Sequence, residues 1–299
     1  MSINQLSSKR RYIPESVIAD RLTQILAFCL PALVKIKDTH TSQHSQSSGF
    51  LLHIPKGYAG GQEEESFALI ACQHSMERVN NLDAIKDYTI TFQRSTAGIA
   101  LNAAPAITAE QPAEALAATA DLTVHLTSNM FSDVWSHYEL DVVVLIVDYR
   151  TVTHWMHHFG VRFLEPDSIT RGEPLIALQH PEGRQAEVSL GEIVEVFDDV
   201  AIEHNAKTDS GSSGAPMTNL KGCIIGMHQG RDNPCGERRD PYTCEKKHGT
   251  SINAILKAYF AQKRGETIKF GKIKINFVTT KQITSRQNLI QQRLPFISL

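Results

Sequence analysis

At residues 208–216 the chain reads Thr-Asp-Ser-Gly-Ser-Ser-Gly-Ala-Pro, and the rest of the sequence is best interpreted from this stretch outward. Within it, Gly211, Gly214 and Pro216 surround Ser213 with residues that favour a sharp backbone bend. Such a bend leaves the Ser213 hydroxyl free and can direct the amides of Gly211 and Ser213 toward one point. Two converging amides would form an oxyanion hole, which stabilises the negative charge that develops in acyl transfer. The stretch alone predicts either a nucleophile turn or an ordinary polar loop.

The residues that follow favour the nucleophile turn. Residues 222–230 read Gly-Cys-Ile-Ile-Gly-Met-His-Gln-Gly, which predicts a buried strand with His228 near its end. Further upstream, residues 69–74 read Leu-Ile-Ala-Cys-Gln-His, a second apolar run that ends directly at a histidine, His74. Residues 141–147 are an aspartate, Asp141, followed by six apolar residues, and so predict a strand buried on both faces.

The composition indicates a folded protein without a global attraction to polyanions. Of the 299 residues, 41% are hydrophobic and 21% are charged, and the net charge is −2 with a pI near 6.7. We therefore predict neither nucleic acid nor membrane as a partner. No apolar run approaches the roughly 18 residues of a membrane span, and the first residues do not resemble a secretory signal. These features favour a cytoplasmic location.

Five scattered cysteines argue against a disulfide framework. Cys29, Cys72 and Cys223 lie in apolar contexts and are expected to be small buried hydrophobic residues. Cys235 and Cys244 bracket a polar loop, where two unrelated thiols, a disulfide formed on oxidation and a zinc site remain open in that order of preference. We predict no cofactor and no metal.

Short apolar runs separated by turn signals predict a mainly β protein. A helix is expected over residues 14–30 and another over residues 251–264, because apolar residues there recur at helical spacing. The other runs favour strands. They are residues 32–36, 49–54, 67–72, 88–93, 122–126, 141–147, 172–181, 186–197, 200–204 and 223–229.

Many strands and few helices favour an all-β fold of two antiparallel six-stranded β-barrels. We predict an N-terminal helical extension (1–31), a first barrel (32–155), a second barrel with the terminal helix (156–264) and a basic C-terminal extension (265–299). An added hairpin with a solvated basic face is the simplest interpretation of the extension. A regulatory protein could also bind this extension or the N-terminal helix.

From about residue 48 to residue 264 the chain resembles the trypsin-like (chymotrypsin-fold) serine peptidases, closest to their bacterial and glutamyl-endopeptidase branch. Four segments in the family's order carry this resemblance. They are residues 49–51, residues 69–74, residues 141–145, and the turn around Ser213 with its following strand. We call this turn the serine turn.

The resemblance implies a catalytic triad of Ser213, His74 and Asp141. A serine hydroxyl is too weak an acid to attack an amide unaided, so an imidazole must take its proton and an aspartate must orient that imidazole. Taken singly, His74 and Asp141 could equally be ordinary strand-end residues. Three other aspartates are alternative third members. They are Asp83, Asp87 and Asp121.

The resemblance also implies a preference for cutting after Glu or Gln. Thr208 and His228 occupy the positions that line the primary specificity pocket in glutamyl endopeptidases, and both side chains can donate hydrogen bonds to a carboxylate or carboxamide. Lys207 stands where trypsin-like enzymes specific for Lys or Arg carry an aspartate. Gln229 and Gly230 would offer backbone hydrogen bonds to a substrate added as a strand. Alternatively, His228 simply packs at the end of its strand.

One departure from the family concerns activation. Digestive relatives have an aspartate immediately before the nucleophile that binds a newly released amino terminus, whereas this chain has Ser212. We therefore do not expect activation by that ion pair.

The function expected from these features is that of a serine endopeptidase acting on proteins or peptides through an acyl-enzyme. Two alternatives remain, a catalytically silent protease-like binding module and a serine esterase. Residues 211–215 lack the final glycine of the Gly-x-Ser-x-Gly elbow that is typical of many esterases.

Overall fold

The computed structural model describes residues 15–40, 46–58, 64–92, 121–231, 247–266 and 268. Its architecture is mostly β, with one open sheet, one closed barrel and a helix near each end. None of the helices in these ranges is long and apolar enough to cross a membrane.

The first half forms a seven-stranded sheet. Its strands are β1 (Leu33–Asp38), β2 (Gln46–Ile54), β3 (Ser66–Cys72), β4 (Tyr88–Phe92), β5 (Leu122–His125), β6 (Phe131–His137) and β7 (Val142–Val147). Neighbouring strands are antiparallel and follow the order β5-β4-β1-β2-β3-β7-β6. Strands β3 and β7 pair directly, with Cys72 opposite Val142. This pairing places the end of β3 beside the beginning of β7, and therefore His74 beside Asp141.

The second half forms a closed six-stranded barrel. Its strands are β8 (Pro174–Gln179), β9 (Glu187–Phe197), β10 (Ala201–His204), β11 (Pro216–Thr218), β12 (Ile224–Arg231) and β13 (Lys247–Ser251). They follow the order β10-β13-β12-β11-β8-β9. The serine turn is the connection between β10 and β11, so closure of the barrel brings it close to the end of β12.

The prediction of two six-stranded barrels is correct for the second half only. Within the described residues the first half is a sheet of seven strands that does not close. The sequence analysis missed β6, because residues 131–137 do not alternate regularly between apolar and polar side chains. It also missed β11, which has only three residues, and β13, which begins with Lys-His.

Three α-helices complete the part of the chain that the structure describes. α1 (Glu15–Cys29) is followed directly by a short 3₁₀ turn, Leu30–Ala32, which contains Pro31. α2 (Tyr149–His154) lies in the connection between the halves, begins at the Asp148 cap and continues as one turn of π-helix. α3 (Ile252–Lys263) follows β13 directly. The N-terminal and C-terminal helices were predicted, whereas α2 was not.

One hydrophobic core joins the two halves. It contains side chains of the first sheet together with Ile176, Leu178 and Ile224 of the barrel. A smaller cluster fills the barrel interior and includes Met217 and Ile202. The division of the chain into domains at residues 155 and 156 stays a prediction, and the basic residues 269–299 lie outside the described part of the chain.

Two glycines of β12 provide a matched test of this packing. A Cβ built at Gly226 would lie 2.4 Å from Cδ1 of Ile202 and 2.8 Å from the Thr250 carbonyl oxygen, whereas one at Gly230 meets no heavy atom within 4 Å. Gly226→Ala should therefore lower the free energy of unfolding by about 1–3 kcal/mol through overpacking. Gly230→Ala should change it by less than about 0.5 kcal/mol. Urea denaturation of both variants measures the difference, and equal stabilities would contradict this packing.

Candidate active site

His74 stands at the end of a buried strand, in a turn that exposes its ring. β3 ends at the fully buried Cys72, and Gln73–Ser75 form one 3₁₀ turn. The His74 side chain is 33% exposed, compared with 10% for Asp141. This exposure leaves part of the imidazole accessible to a substrate.

Asp141 holds His74 by two hydrogen bonds. Its Oδ2 lies 2.6 Å from Nδ1 of the His74 ring, and its Oδ1 accepts from the His74 amide at 2.9 Å. Because a carboxylate only accepts, Nδ1 carries the ring proton in the neutral imidazole and Nε2 keeps its lone pair. Asp141 has φ 47°, a left-handed conformation that aspartate tolerates better than most residues.

The carboxylate also determines the proton affinity of the imidazole. Burial lowers the pKa of His74, but the hydrogen bond and the negative charge of Asp141 outweigh it, with a smaller contribution from Glu77. The net result is a pKa above the ordinary value. His74 is therefore a stronger base than a free histidine.

The serine turn bends at two glycines. Gly211 and Gly214 both have φ 86°, which other residues rarely adopt. The turn is closed by hydrogen bonds from the Ser212 amide to the Asp209 carbonyl and from the Gly214 amide to the His228 carbonyl. The amides of Gly211 and Ser213 have no acceptor within the described residues. Both are therefore available to an oxyanion.

Ser48 on β2 joins this turn to the first sheet. Its amide donates to the Ser213 carbonyl at 2.9 Å, and its hydroxyl donates to the Gly211 carbonyl at 3.0 Å. A Cβ at Gly214 would lie 2.0 Å from the Ser48 carbonyl oxygen, so only glycine permits this approach. The contact brings the serine turn against the half of the molecule that carries His74 and Asp141.

The Ser213 hydroxyl donates to the Gln229 carbonyl at 3.2 Å. Among the described residues it makes no hydrogen bond to His74. The serine hydroxyl can rotate about the Cα–Cβ bond. Hydrogen bonds between a catalytic serine and histidine are often formed only when substrate binds. The structure thus pairs His74 with Asp141 and places Ser213 against Gln229.

The residues predicted to select the substrate all lie in the barrel half of the chain. Thr208 and His228 are both buried, and Nδ1 of His228 lies 3.1 Å from Nε2 of His204. Gln229 is held by a hydrogen bond from its side-chain amide to the Leu140 carbonyl. Gly230 lies in the irregular part of the β12–β13 pairing.

The three aspartates that were alternatives to Asp141 as third member of the triad have another partner or are exposed. Asp87 lies 2.9 Å from Nε2 of His40 and accepts a backbone hydrogen bond from Thr39. Asp83 is exposed in a 3₁₀ turn, and Asp121 is exposed directly before β5. None of the three makes a hydrogen bond to His74 within the described residues.

Sequence reasoning missed the polar residues that support the site. These are Ser48, Gln179, His180 and His204. The His180 amide donates to the Ser48 hydroxyl at 2.9 Å, and this hydroxyl reaches the Gly211 carbonyl. In the sequence these polar residues interrupt or end apolar runs. This pattern indicates that they are buried, but it does not identify their hydrogen-bond partners.

One of the cysteines, Cys72, lies beside His74 and Asp141 and bears on the metal prediction. Cys29 and Cys72 are buried as expected and Cys223 is partly buried, whereas Cys235 and Cys244 lie outside the described residues. Ligand atoms of Cys72, His74 and Asp141 lie within 4.8 Å of one another. Burial and the nearby Asp141 raise the pKa of the Cys72 thiol well above its ordinary value, which keeps it protonated. The absence of a metal stays a prediction.

The sequence profile of the trypsin-like peptidase domain matches residues 70–227, which is slightly more than half of the 299-residue chain. The chain belongs to this family. The matched range of the trypsin-like peptidase domain contains His74, Asp141 and Ser213, and the match supports a serine protease function. No curated protein sequence matches the chain significantly.

One solved protease structure shares the fold of this trypsin-like peptidase domain, and two others are similar at lower TM-scores. The HtrA-type protease AlgW with a tripeptide has a TM-score of 0.50 at 13% identity, over 83% of this chain and 65% of AlgW. The inactive form of Rv3671c from M. tuberculosis H37Rv has a TM-score of 0.47 at 16% identity, over 87% of this chain and 98% of that one. The serine endoprotease from Yersinia pestis has a TM-score of 0.48 at 14% identity, over 84% and 67%. At 13% identity the likeness to AlgW concerns the fold alone.

The pKa of His74 tests the pairing with Asp141. Asp141→Asn removes the carboxylate's charge and hydrogen bond while asparagine tolerates the left-handed backbone, so the pKa of His74 should fall. NMR titration of the imidazole, in a Ser213→Ala background that prevents self-cleavage, measures this change. Asp83→Asn is the control and should leave the pKa of His74 unchanged. An unchanged pKa in Asp141→Asn would contradict the pairing.

Proposed function

We propose that this chain is a serine endopeptidase in which Ser213 is the nucleophile, His74 the general base and Asp141 the residue that orients the base. One observation carries the proposal. The neutral imidazole, held by Asp141 at 2.6 Å, keeps an accepting Nε2, and Ser48 brings the serine turn against the same sheet. These are the parts that acyl transfer requires.

The proposed reaction begins when the Ser213 hydroxyl turns from the Gln229 carbonyl and gives its proton to Nε2 of His74. Ser213 Oγ bonds to the substrate carbonyl carbon, and the resulting oxyanion accepts from the amides of Gly211 and Ser213. His74 then passes the proton to the leaving amine, which leaves an acyl-enzyme on Ser213. Water, activated by the same imidazole, hydrolyses this ester. Because His74 must be unprotonated, activity should rise as the pH passes upward through its raised pKa.

The Ser213→Ala variant is the direct test of this function. It removes the nucleophile while adding no bulk, so labelling by a fluorophosphonate and peptide hydrolysis should both disappear and the fold should be retained. Circular dichroism and thermal melting check the fold. Ser210→Ala, an exposed serine of the same turn, is the matched control and should keep both activities.

The alternatives predict different outcomes. Labelling of Ser213 without peptide cleavage, but with ester hydrolysis, would favour the serine esterase. A wild-type chain that is not labelled would favour the silent binding module. Undiminished peptidase activity in Ser213→Ala would overturn the assignment of the nucleophile.

We further propose cleavage after Glu or Gln, in the manner of the glutamyl-endopeptidase branch. Burial lowers the pKa of His204 to about 3, aided by the nearby His248 and Lys247, so His204 is neutral at pH 7. Its Nδ1 is buried without a partner among the described residues. An unpartnered buried N–H is less favourable than an unpartnered lone pair, which places the His204 proton on Nε2, facing Nδ1 of His228.

We infer the tautomer of His228 from this arrangement. Since its Nδ1 accepts from His204, a neutral His228 carries its proton on Nε2, and we propose that this N–H donates to the side-chain carbonyl or carboxylate of the substrate. Thr208 is buried in the same barrel and supplies a hydroxyl. Both groups suit the oxygen of Glu or Gln, and neither suits the cation of Lys or Arg. The open space around Gly230 is compatible with a substrate strand along this edge.

A peptide-library cleavage profile tests the proposed specificity. The wild-type chain should cut after Glu or Gln, and His228→Phe, which keeps an aromatic ring but loses the donor, should lower kcat/KM for such substrates about 10- to 100-fold. His158→Phe, an exposed histidine in the connection between the halves, is the control and should keep the profile. Wild-type preference for Lys, Arg or large apolar residues would contradict the role of Thr208 and His228.

The remaining proposals concern context. A protein or peptide substrate follows from the proposed reaction. A regulatory partner at the N-terminal helix or at the basic residues 265–299, the cytoplasmic location, and the exclusion of nucleic acid and membrane all stay predictions.

A further inference from the structure

A buried hydrogen-bond network supports the residue immediately before the nucleophile. Ser212 is fully buried, and its hydroxyl donates to Oε1 of Gln179, which ends β8 and is 2% exposed. The same hydroxyl accepts from the Asp209 amide at 3.1 Å. Both hydrogen-bonding functions of the Ser212 hydroxyl are thus used.

The carboxamide of Gln179 has one defined orientation. Its Nε2 donates to the Lys207 carbonyl at 3.1 Å and to the Ser189 hydroxyl at 2.9 Å. Because a backbone carbonyl can only accept, the nitrogen must face Lys207 and the oxygen must face Ser212. Both N–H donors and the oxygen therefore have partners, which is the condition for a buried polar network to rigidify its surroundings.

The segment that begins at Gln179 contacts the serine turn at several points. Gln179 reaches the turn at Lys207 and Ser212, and the Glu182 amide donates to the Ser210 carbonyl. A Cβ at Gly211 would lie 2.8 Å from the His180 carbonyl oxygen, so this segment also lies closely against the proposed oxyanion turn. Residues at the end of β8 and in the turn after it therefore hold three residues that precede Ser213. These are Lys207, Ser210 and Ser212.

The geometry points to Gln179 as a positioning residue that holds the serine turn ready for catalysis through neutral hydrogen bonds. This inference rests on the proposed peptidase function and concerns how its site is controlled. A buried ammonium group beside Ser212 would find a hydroxyl and a carboxamide whose hydrogen bonds are already made, and no negative charge among these partners. Activity is therefore expected without insertion of a newly released amino terminus.

Gln179→Leu is the principal variant, because leucine is of similar size but leaves the Ser212 hydroxyl and the Lys207 carbonyl without their partner. Ser189→Ala is the matched control. It removes the partner of Gln179 that lies outside the turn, and because Ser189 is partly exposed, water can accept from the freed N–H. The full chain is used throughout. The measurements are the fluorophosphonate labelling rate, kcat and KM on a peptide, thermal melting, and hydrogen exchange of peptides covering residues 207–215.

We expect Gln179→Leu to lower the labelling rate and kcat roughly 100-fold, the effect of misplacing an oxyanion donor, with KM changed by less than about threefold. Exchange in residues 207–215 should become faster. Ser189→Ala should stay within about threefold of the wild type in every measurement. A threefold change is small compared with the roughly 100-fold decrease in labelling rate and kcat expected for Gln179→Leu.

Gln179→Glu gives a readout that folding alone would not produce. The ionised carboxylate would face the Lys207 carbonyl, whereas the protonated acid can donate to it as the carboxamide does. The ratio of its kcat/KM to that of the wild type should therefore rise as the pH falls. This variant also decides the matter if Gln179→Leu does not fold.

The outcomes separate the two proposals. If the wild type is not labelled, the peptidase function fails, and hydrogen exchange still tests the network. If the wild type is labelled, a wild-type rate in Gln179→Leu or a pH-independent ratio in Gln179→Glu overturns the role of Gln179. Unchanged exchange in residues 207–215 of Gln179→Leu overturns it in either case.

Discussion

The contact between Ser48 and the serine turn is the interaction on which the proposed site depends. Ser48 lies in the first sheet, while the turn belongs to the barrel, and both the backbone and the side chain of Ser48 bond to carbonyls of the turn. The approach is possible because Gly214 has no Cβ. A single buried residue therefore joins the turn of Ser213, the proposed nucleophile, to the sheet that carries His74, the proposed base.

The two halves supply different physical requirements of the proposed reaction. The first sheet would supply proton transfer, since the pairing of β3 with β7 puts the His74 imidazole against the Asp141 carboxylate, which raises the pKa of His74. The barrel supplies the bent backbone and its free amides, held on one side by Ser48 and on the other by Gln179. Neutral hydrogen bonds perform this support, so the serine turn can be rigid without a buried ion pair, whose desolvation is unfavourable.

Much of the fold could be predicted from sequence, because long apolar runs such as residues 67–72 and 142–147 are buried strands in almost any context. The strands that were missed are short or irregular, and whether a sheet closes depends on pairing that periodicity does not contain. For the site, residue order indicated His74, Asp141 and Ser213. The supporting residues Ser48, Gln179 and His204 could not be identified, because their partners are distant in sequence and meet only after the strands have paired.

We propose that both halves converge on one acyl-transfer site, and a crystal structure of the chain treated with a peptidyl phosphonate would show whether they do. We expect phosphorus bonded to Oγ of Ser213, one phosphonyl oxygen accepting from the amides of Gly211 and Ser213, and the His74 ring within hydrogen-bonding distance of the adduct while still bonded to Asp141. An adduct on another residue, or a phosphonyl oxygen directed away from both amides, would contradict it.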